Sequence, residues 1–257
     1  MQNQREPIFN LPAAIVGIGV FLTAIHSARL LLSPETDLWA LFAFGFVPAR
    51  YDPGFAYYDQ MPGGAGASAW TFVTYALLHG SWMHLGVNVA WMVAFGTPVL
   101  RRFGFRRFLL LSAVAAVAAA LMHLLTHWGA VVPMIGASGA ISGQMGAAVR
   151  FAFQRHVMFG AHVDDARRWT VPAMSLTACF SDVRVLAFVG VWFAVNIAFG
   201  ATSMIPGQEA PVAWQAHIGG FLLGLLLFPL FDPVKRGRQQ QPAGTGGGEA
   251  GQNSGSE

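Results

Sequence analysis

An all-α bundle of membrane-spanning helices is the fold class this sequence predicts, and three observations predict it. Apolar residues make up 54% of the 257 residues and charged residues only 11%, whereas a soluble domain carries about a quarter charged residues. The apolar residues gather in runs near the ~20 residues that cross a bilayer as a helix. Strand-like alternation is absent, and lipid demands that a spanning segment pair its own backbone. The single cysteine, Cys179, leaves no intramolecular disulfide and no multi-thiolate metal site. The net charge of +3 lies mostly in the connections, so it speaks to topology and not to nucleic acid. The polar start, followed by an apolar run without a cleavage site, does not read as a cleavable signal peptide.

Six transmembrane helices read out in order. Polar residues 1–10 form an N-terminal tail, and the first helix follows over 11–32. The second lies near 80–100, led in by Trp70 to Leu78 and closed by Arg101 and Arg102. The third runs near 107–127, the fourth near 138–155, the fifth near 184–202 and the sixth near 212–231. The fourth and fifth are short, which suits helices buried within a bundle. Together they predict one membrane domain over 11–232. Residues 233–257, rich in Gly, Gln, Pro and Ser, read as a disordered tail.

The connections orient the bundle. Arg101, Arg102, Arg106 and Arg107 lie between helices two and three, and Arg150, Arg155, Arg167, Arg168 and Arg184 flank the connection from four to five. Lys235, Arg236 and Arg238 follow helix six, and the long loop 33–69 holds only Arg50. The positive-inside rule therefore places both termini in the cytoplasm and 33–69 outside as the first loop. Arg29, near the outer end of helix one, either snorkels to the interface or pairs with an acid of that loop. The loop's Trp39, Phe42, Phe44, Phe46, Phe55, Tyr57 and Tyr58 suit a membrane interface. A loop packed on its own bundle and a substrate gate both fit.

Polar residues inside apolar helices carry the functional reading, because they are costly in hydrocarbon. Ser138 opens helix four, His217 lies early in helix six, and His84 and Asn88 lie early in helix two. All four fall in the outer part of the membrane. Gly139, Ser142, Gly143 and Gly146 give helix four a small face, and Gly220 and Gly224 give helix six another. Faces of this kind let backbones approach closely. If they meet, Ser138 comes within reach of His217, and a neutral imidazole can take the hydroxyl proton near pH 7. Ser138 at a helix N-terminus has free N–H groups nearby for a developing oxyanion. His84 and Asn88, spaced i, i+4, share a helix face and can donate to the same centre. No acid falls in a helix near His217, so a Ser-His dyad is the reading.

These motifs resemble the rhomboid intramembrane serine proteases. The matching residues are Gly136-Ala137-Ser138-Gly139, His84-x-x-x-Asn88 and Ala216-His217-x-x-Gly220-x-x-x-Gly224, within a basic six-helix core over roughly 11–232. The resemblance implies Ser138 as nucleophile and His217 as general base, with His84, Asn88 and the Ser138 N–H as oxyanion hole. It implies a structural role for His79. It implies transmembrane protein substrates and no metal or cofactor. The chain departs from the family pattern at Thr71 after Trp70, at Ser142 where some members carry an aromatic stacked on the catalytic histidine, and at Leu100 where a glutamate is often found.

Other readings compete. A non-catalytic rhomboid-like binding or quality-control protein would not need Ser138. A transporter or channel would show intramembrane charges, broken helices or a repeat, and none is visible. His123 and His127 have the i, i+4 spacing of two metal ligands, but no third ligand suggests itself, and they read as interfacial histidines near Trp128. Asn196 and Gln144, single polar residues within helices, read as bridges between neighbours. Cys179 reads as a small apolar filler. The near absence of Lys beside abundant Ala, Gly and Arg suggests a bacterial cytoplasmic membrane, with an organellar membrane as the alternative. Substrate identity and oligomeric state are not encoded in these motifs.

Overall fold

The computed structural model describes residues 11–154, 169–201 and 212–234. The polar start, the tail from 235 onward, and Arg155, His156, His162, Asp164, Asp165, Arg167, Arg168 and Met204 lie outside the described residues. Among the described residues every regular element is helical, and strand pairing is limited to one isolated bridge between Phe46 and Met134. The helices are α1 (Ala13–Arg29), α2 (Pro34–Phe44), α3 (Gly64–Thr74), α4 (Trp82–Trp91), α5 (Thr97–Phe103) and α6 (Phe105–Thr126). They continue as α7 (Ser138–Val149), α8 (Leu176–Ser181), α9 (Val183–Ala201), α10 (Trp214–Leu226) and α11 (Phe228–Phe231).

Among the described residues, three stretches are long and apolar enough to cross a membrane: Trp82–Phe103, Phe105–Thr126 and Val183–Gly200. The first joins α4 to α5 through a π-helical turn at Met92–Gly96. The expected six helices are thus three of spanning length plus shorter ones. α1 has 17 residues, and α7 and α10 have 12 and 13. A helix of 12–13 residues is about 18–20 Å long, short of a hydrocarbon core about 30 Å thick.

α7 is the centre of the bundle. Every residue from Gly139 to Val149 is buried, wrapped by α6, α10 and the π-helical turn. The enclosure works because the facing residues are small. A Cβ on Gly143 would fall on the Ala115 methyl group of α6, and one on Gly224 would fall on the Gly143 carbonyl oxygen. α7 and α10 therefore touch backbone to backbone, a distance only glycine allows. Gln144 adds a polar link, its Nε2 donating to Ser112 Oγ of α6 at 3.0 Å.

α9 corrects the expectation that the fifth helix is buried. Val183, Leu186, Val191, Phe193, Val195, Ile197 and Phe199 are all exposed, and Val185, Trp192 and Asn196 are its buried positions. An apolar surface on nearly all sides suits lipid contact, not burial in protein.

The segment 33–69 is not a plain loop. Ser33 caps α2, its Oγ accepting the Thr36 N–H at 3.3 Å, with Pro34 at the first helical position and Glu35 and Asp37 in the first turn. Those are the ordinary start signals of a helix. Beyond α2 the chain wraps around Arg50, which is 3% exposed. Its guanidinium donates to the carbonyl oxygens of Phe42 and Pro62 at 2.9 Å and of Gly64 at 3.3 Å. Arg29 pairs with Asp37 at 2.7 Å and donates to the His79 carbonyl at 2.9 Å, so of its two options it takes the acid.

The far end of the bundle is held by two more internal arginines. Arg102 pairs with Asp232 at 2.8 Å, with side chains 0% and 8% exposed. It also donates to the carbonyls of Trp169 and Val171 at 2.8 Å and lies over the Phe151 ring. Arg150 donates to the carbonyls of Met174 and Leu225 at 2.9 Å. Both count toward the charge bias read from the sequence, yet both are spent inside the protein. Removing one member of a buried pair leaves the other charge unpaired, at about 3–5 kcal/mol. Arg102→Met is expected to cost about that much, measured as a lower thermal midpoint in detergent.

Candidate active site

Two close approaches bring the polar residues together. At the start of α7 the chain passes through Gly136 with φ of +119°, its N–H donating to the Tyr75 carbonyl at 2.9 Å. A Cβ there would stand 2.6 Å from His84 Nε2, so the imidazole lies flush against this backbone. On the other side a Cβ on Gly220 would strike the Gly139 carbonyl oxygen. With the α10 backbone this near, one turn earlier His217 reaches the first residue of α7. Its Nε2 lies 2.7 Å from Ser138 Oγ, across 79 residues of sequence.

The second ring nitrogen of His217 is occupied as well. Nδ1 is hydrogen-bonded to Asn196 Oδ1. Asn196 is buried on α9, and its Nδ2 donates to the Trp192 carbonyl at 2.8 Å. Trp192 stacks on Phe221 with ring centroids 4.9 Å apart, and Gly200 gives room for the Trp214 indole. Trp192, Asn196 and Gly200 form one i, i+4, i+8 stripe, which lies along Phe221, His217 and Trp214 of α10. Asn196 thus bridges neighbours, and the neighbour is the histidine. The absence of an acid near His217 hid this contact, because an amide can fill the place of a carboxylate.

His84 takes a defined tautomer. The Gly80 N–H donates to Nδ1 at 3.4 Å, so a neutral ring carries its proton on Nε2, on the side of Gly136. Asn88 is buried one turn along, its Nδ2 donating to the His84 carbonyl at 2.9 Å. That bond uses one of the two amide N–H groups. His79 is fully buried, and the Ala137 N–H donates to its Nε2 at 3.5 Å. Chemically, the serine hydroxyl shares a hydrogen bond with an imidazole whose other ring nitrogen is also held. That is the arrangement that activates a nucleophile.

The departures are accommodated. Ser142 is buried in α7 and brings no ring to His217. Trp70 donates from its indole to the Ala43 carbonyl at 2.8 Å, and Thr71 is fully buried, its hydroxyl donating to the Ala67 carbonyl. Leu100 packs in the core with Phe103 and Phe108. Away from the site, His123 and His127 stack on each other at 4.3 Å. Among the described residues, no group of three His, Cys, Asp or Glu side chains is arranged to hold a metal ion.

A family model described as a rhomboid domain matches residues 66–232. This chain belongs to the rhomboid family. It is similar to RHOMBOID-like protein 5 of Arabidopsis thaliana, 24% identical over 62% of this chain and 42% of the relative. It is also similar to RHOMBOID-like protein 6, mitochondrial, of the same plant, 26% identical over 63% of this chain and 43% of the relative. RHOMBOID-like protein 4, also of that plant, is 26% identical over 63% of this chain and 34% of its own length. The chain spans less than half the length of these curated relatives. Membership and the apolar helices make it an integral membrane protein of helical type.

Gly220→Ala is expected to push α10 from α7 and destabilise the fold by about 1–3 kcal/mol. Gly86→Ala, with nothing within 4 Å of the added methyl group, is expected to leave the thermal midpoint unchanged or slightly higher. Thermal melts of the two variants in one detergent make the comparison.

Proposed function

We propose that this rhomboid is an intramembrane serine endopeptidase that cleaves transmembrane proteins near the outer boundary of the bilayer. The observation that carries the reading is the 2.7 Å contact between Ser138 Oγ and His217 Nε2. Ser138 is the nucleophile. His217 takes its proton as the hydroxyl attacks the scissile carbonyl, and returns it to the leaving amine as the acyl-enzyme forms. Water then repeats the sequence on the ester. The oxyanion is held by the His84 Nε2–H, the free N–H of the Asn88 amide and the Ser138 backbone N–H at the start of α7. The reaction as written uses these side chains and water.

The topology belongs to the same proposal: six spans, both termini in the cytoplasm, and segment 33–69 outside. On this reading the serine and histidine lie below the membrane surface, within reach of water from the outside; the shortness of α7 and α10 supports it. Substrate enters laterally, past α9 and the aromatic first loop. A helical substrate must unwind there, because a helix keeps its carbonyls in backbone hydrogen bonds, so helix-breaking residues favour cleavage. A bacterial cytoplasmic membrane is a compositional reading, and the named relatives, being plant proteins, lend it no support. A non-catalytic binding role is the second reading; the engaged Ser138–His217 pair favours catalysis over it.

The test is labelling of the purified full chain with a fluorophosphonate probe, beside cleavage of a model transmembrane substrate. Labelling and cleavage are expected for wild type and for neither Ser138→Ala nor His217→Ala. A folded wild type that resists the probe and leaves the substrate intact would put the binding reading first. Asn88→Ala is expected to cleave about 10²–10³ times more slowly, as for loss of one oxyanion donor; an unchanged rate would remove Asn88 from the oxyanion hole.

A further inference from the structure

We infer that Asn196 is the positioning residue for the catalytic base, setting the tautomer and orientation of His217 from a neighbouring helix; this rests on the protease reading above. The amide has only one way to serve both contacts. Its NH2 group donates to the Trp192 carbonyl at 2.8 Å, and a carbonyl can only accept. Oδ1 is therefore the atom that faces the imidazole. An oxygen acceptor there requires the His217 proton on Nδ1. Nε2 is then left with its lone pair toward Ser138 Oγ–H at 2.7 Å, which is the state a general base needs. With the proton on Nε2 instead, two acceptors would face each other at Nδ1 and the serine would lose its base.

Orientation follows from the same contact. Trp192 fixes the amide from one turn below and is itself stacked on Phe221 of α10. The ring of His217 is thus held at both nitrogens, by α7 at one and by α9 at the other. Ser142, at the position where an aromatic would stack, is a small buried side chain within α7, so the hydrogen bond and not a ring provides the support. No Asp or Glu among the described residues hydrogen-bonds to His217. His84 of α4 is the titratable side chain that lies beside Gly136 together with Ser138. An amide in place of a carboxylate fixes the imidazole without adding a negative charge in an apolar setting.

The test is steady-state cleavage and fluorophosphonate labelling by Asn196→Leu and Asn196→Asp in the full chain, with thermal midpoints measured alongside. Asn196→Leu keeps the branching at Cγ, with larger methyl groups, and removes the acceptor. It is expected to lower kcat and the labelling rate about 10- to 100-fold with KM little changed, as for other groups that orient a functional imidazole. Asn196→Asp keeps the acceptor and is expected to restore most of kcat. Its carboxylate favours the protonated imidazole, so the acid limb of its kcat profile should move to higher pH. A purely structural role would lower the midpoint of both variants and move no pH limb. Wild-type kcat in Asn196→Leu, or an acid limb in Asn196→Asp that coincides with wild type, overturns the assignment while wild-type labelling leaves the protease reading standing. A wild type that is itself unlabelled and inactive overturns both.

Discussion

The contact between α7 and α10 is the constraint on which the rest of the structure depends. Two helices normally lie 8–10 Å apart with side chains between them. Here Gly139, Gly143, Gly220 and Gly224 leave carbonyl oxygens of one helix against the α carbons of the other. Lipid offers no hydrophobic drive between helices, so association rests on close packing and hydrogen bonds. A seam this tight supplies many van der Waals contacts and little side-chain entropy to lose. It also encloses α7 completely, which is how a 12-residue helix can end inside the protein.

An enclosed short helix creates a second demand, because its ends carry unpaired backbone groups. At the far end the demand is met by backbone, the Arg150 and Phe151 N–H groups donating to the Ala147 and Ala148 carbonyls and the Met174 N–H to that of Arg150, and arginines fasten the surrounding segments. Arg102 and Arg150 donate to carbonyls of the segment 169–174 and of α10. Arg50 does the same work within the segment 33–69. At the other end the N–H groups of α7 face the histidines, with Ala137 donating to His79. In the proposed mechanism this is the end where donors are left for a substrate.

Much of this was legible in the sequence, and the failures have physical causes. Hydropathy located the long helices because apolar runs are a direct record of lipid contact. The glycines of α7 and α10 marked faces of close approach because no other residue tolerates one. The arginines carry a role the charge count does not reveal, since it does not distinguish a solvated side chain from one buried against carbonyls, as Arg102 and Arg150 are. α2 was passed over although Ser33, Pro34, Glu35 and Asp37 spell a helix start; the aromatics beyond drew attention to the interface. The burial of α9 was misjudged from its length. Asn196 was visible only as a polar residue in hydrocarbon. Its partner follows from Trp192 and Gly200, which at four-residue spacing lie along α10.

The glycine seam fixes a distance, yet a four-residue repeat on both helices does not by itself fix a phase. Moving α10 along α7 by one turn, about 5.4 Å, would set Gly220 over Gly143 and carry His217 toward Ser142 in place of Ser138. The repeat on α7 stops in time to forbid this, because the next position after Gly143 is Ala147, whose methyl group would meet Gly224. Neighbours that do not repeat also oppose the slide: the Arg150 bond to the Leu225 carbonyl, and Ala118 and Met122 pressed on Gly219. The seam therefore behaves as a vernier with one legal setting, and that setting decides which of two serines four residues apart meets the imidazole.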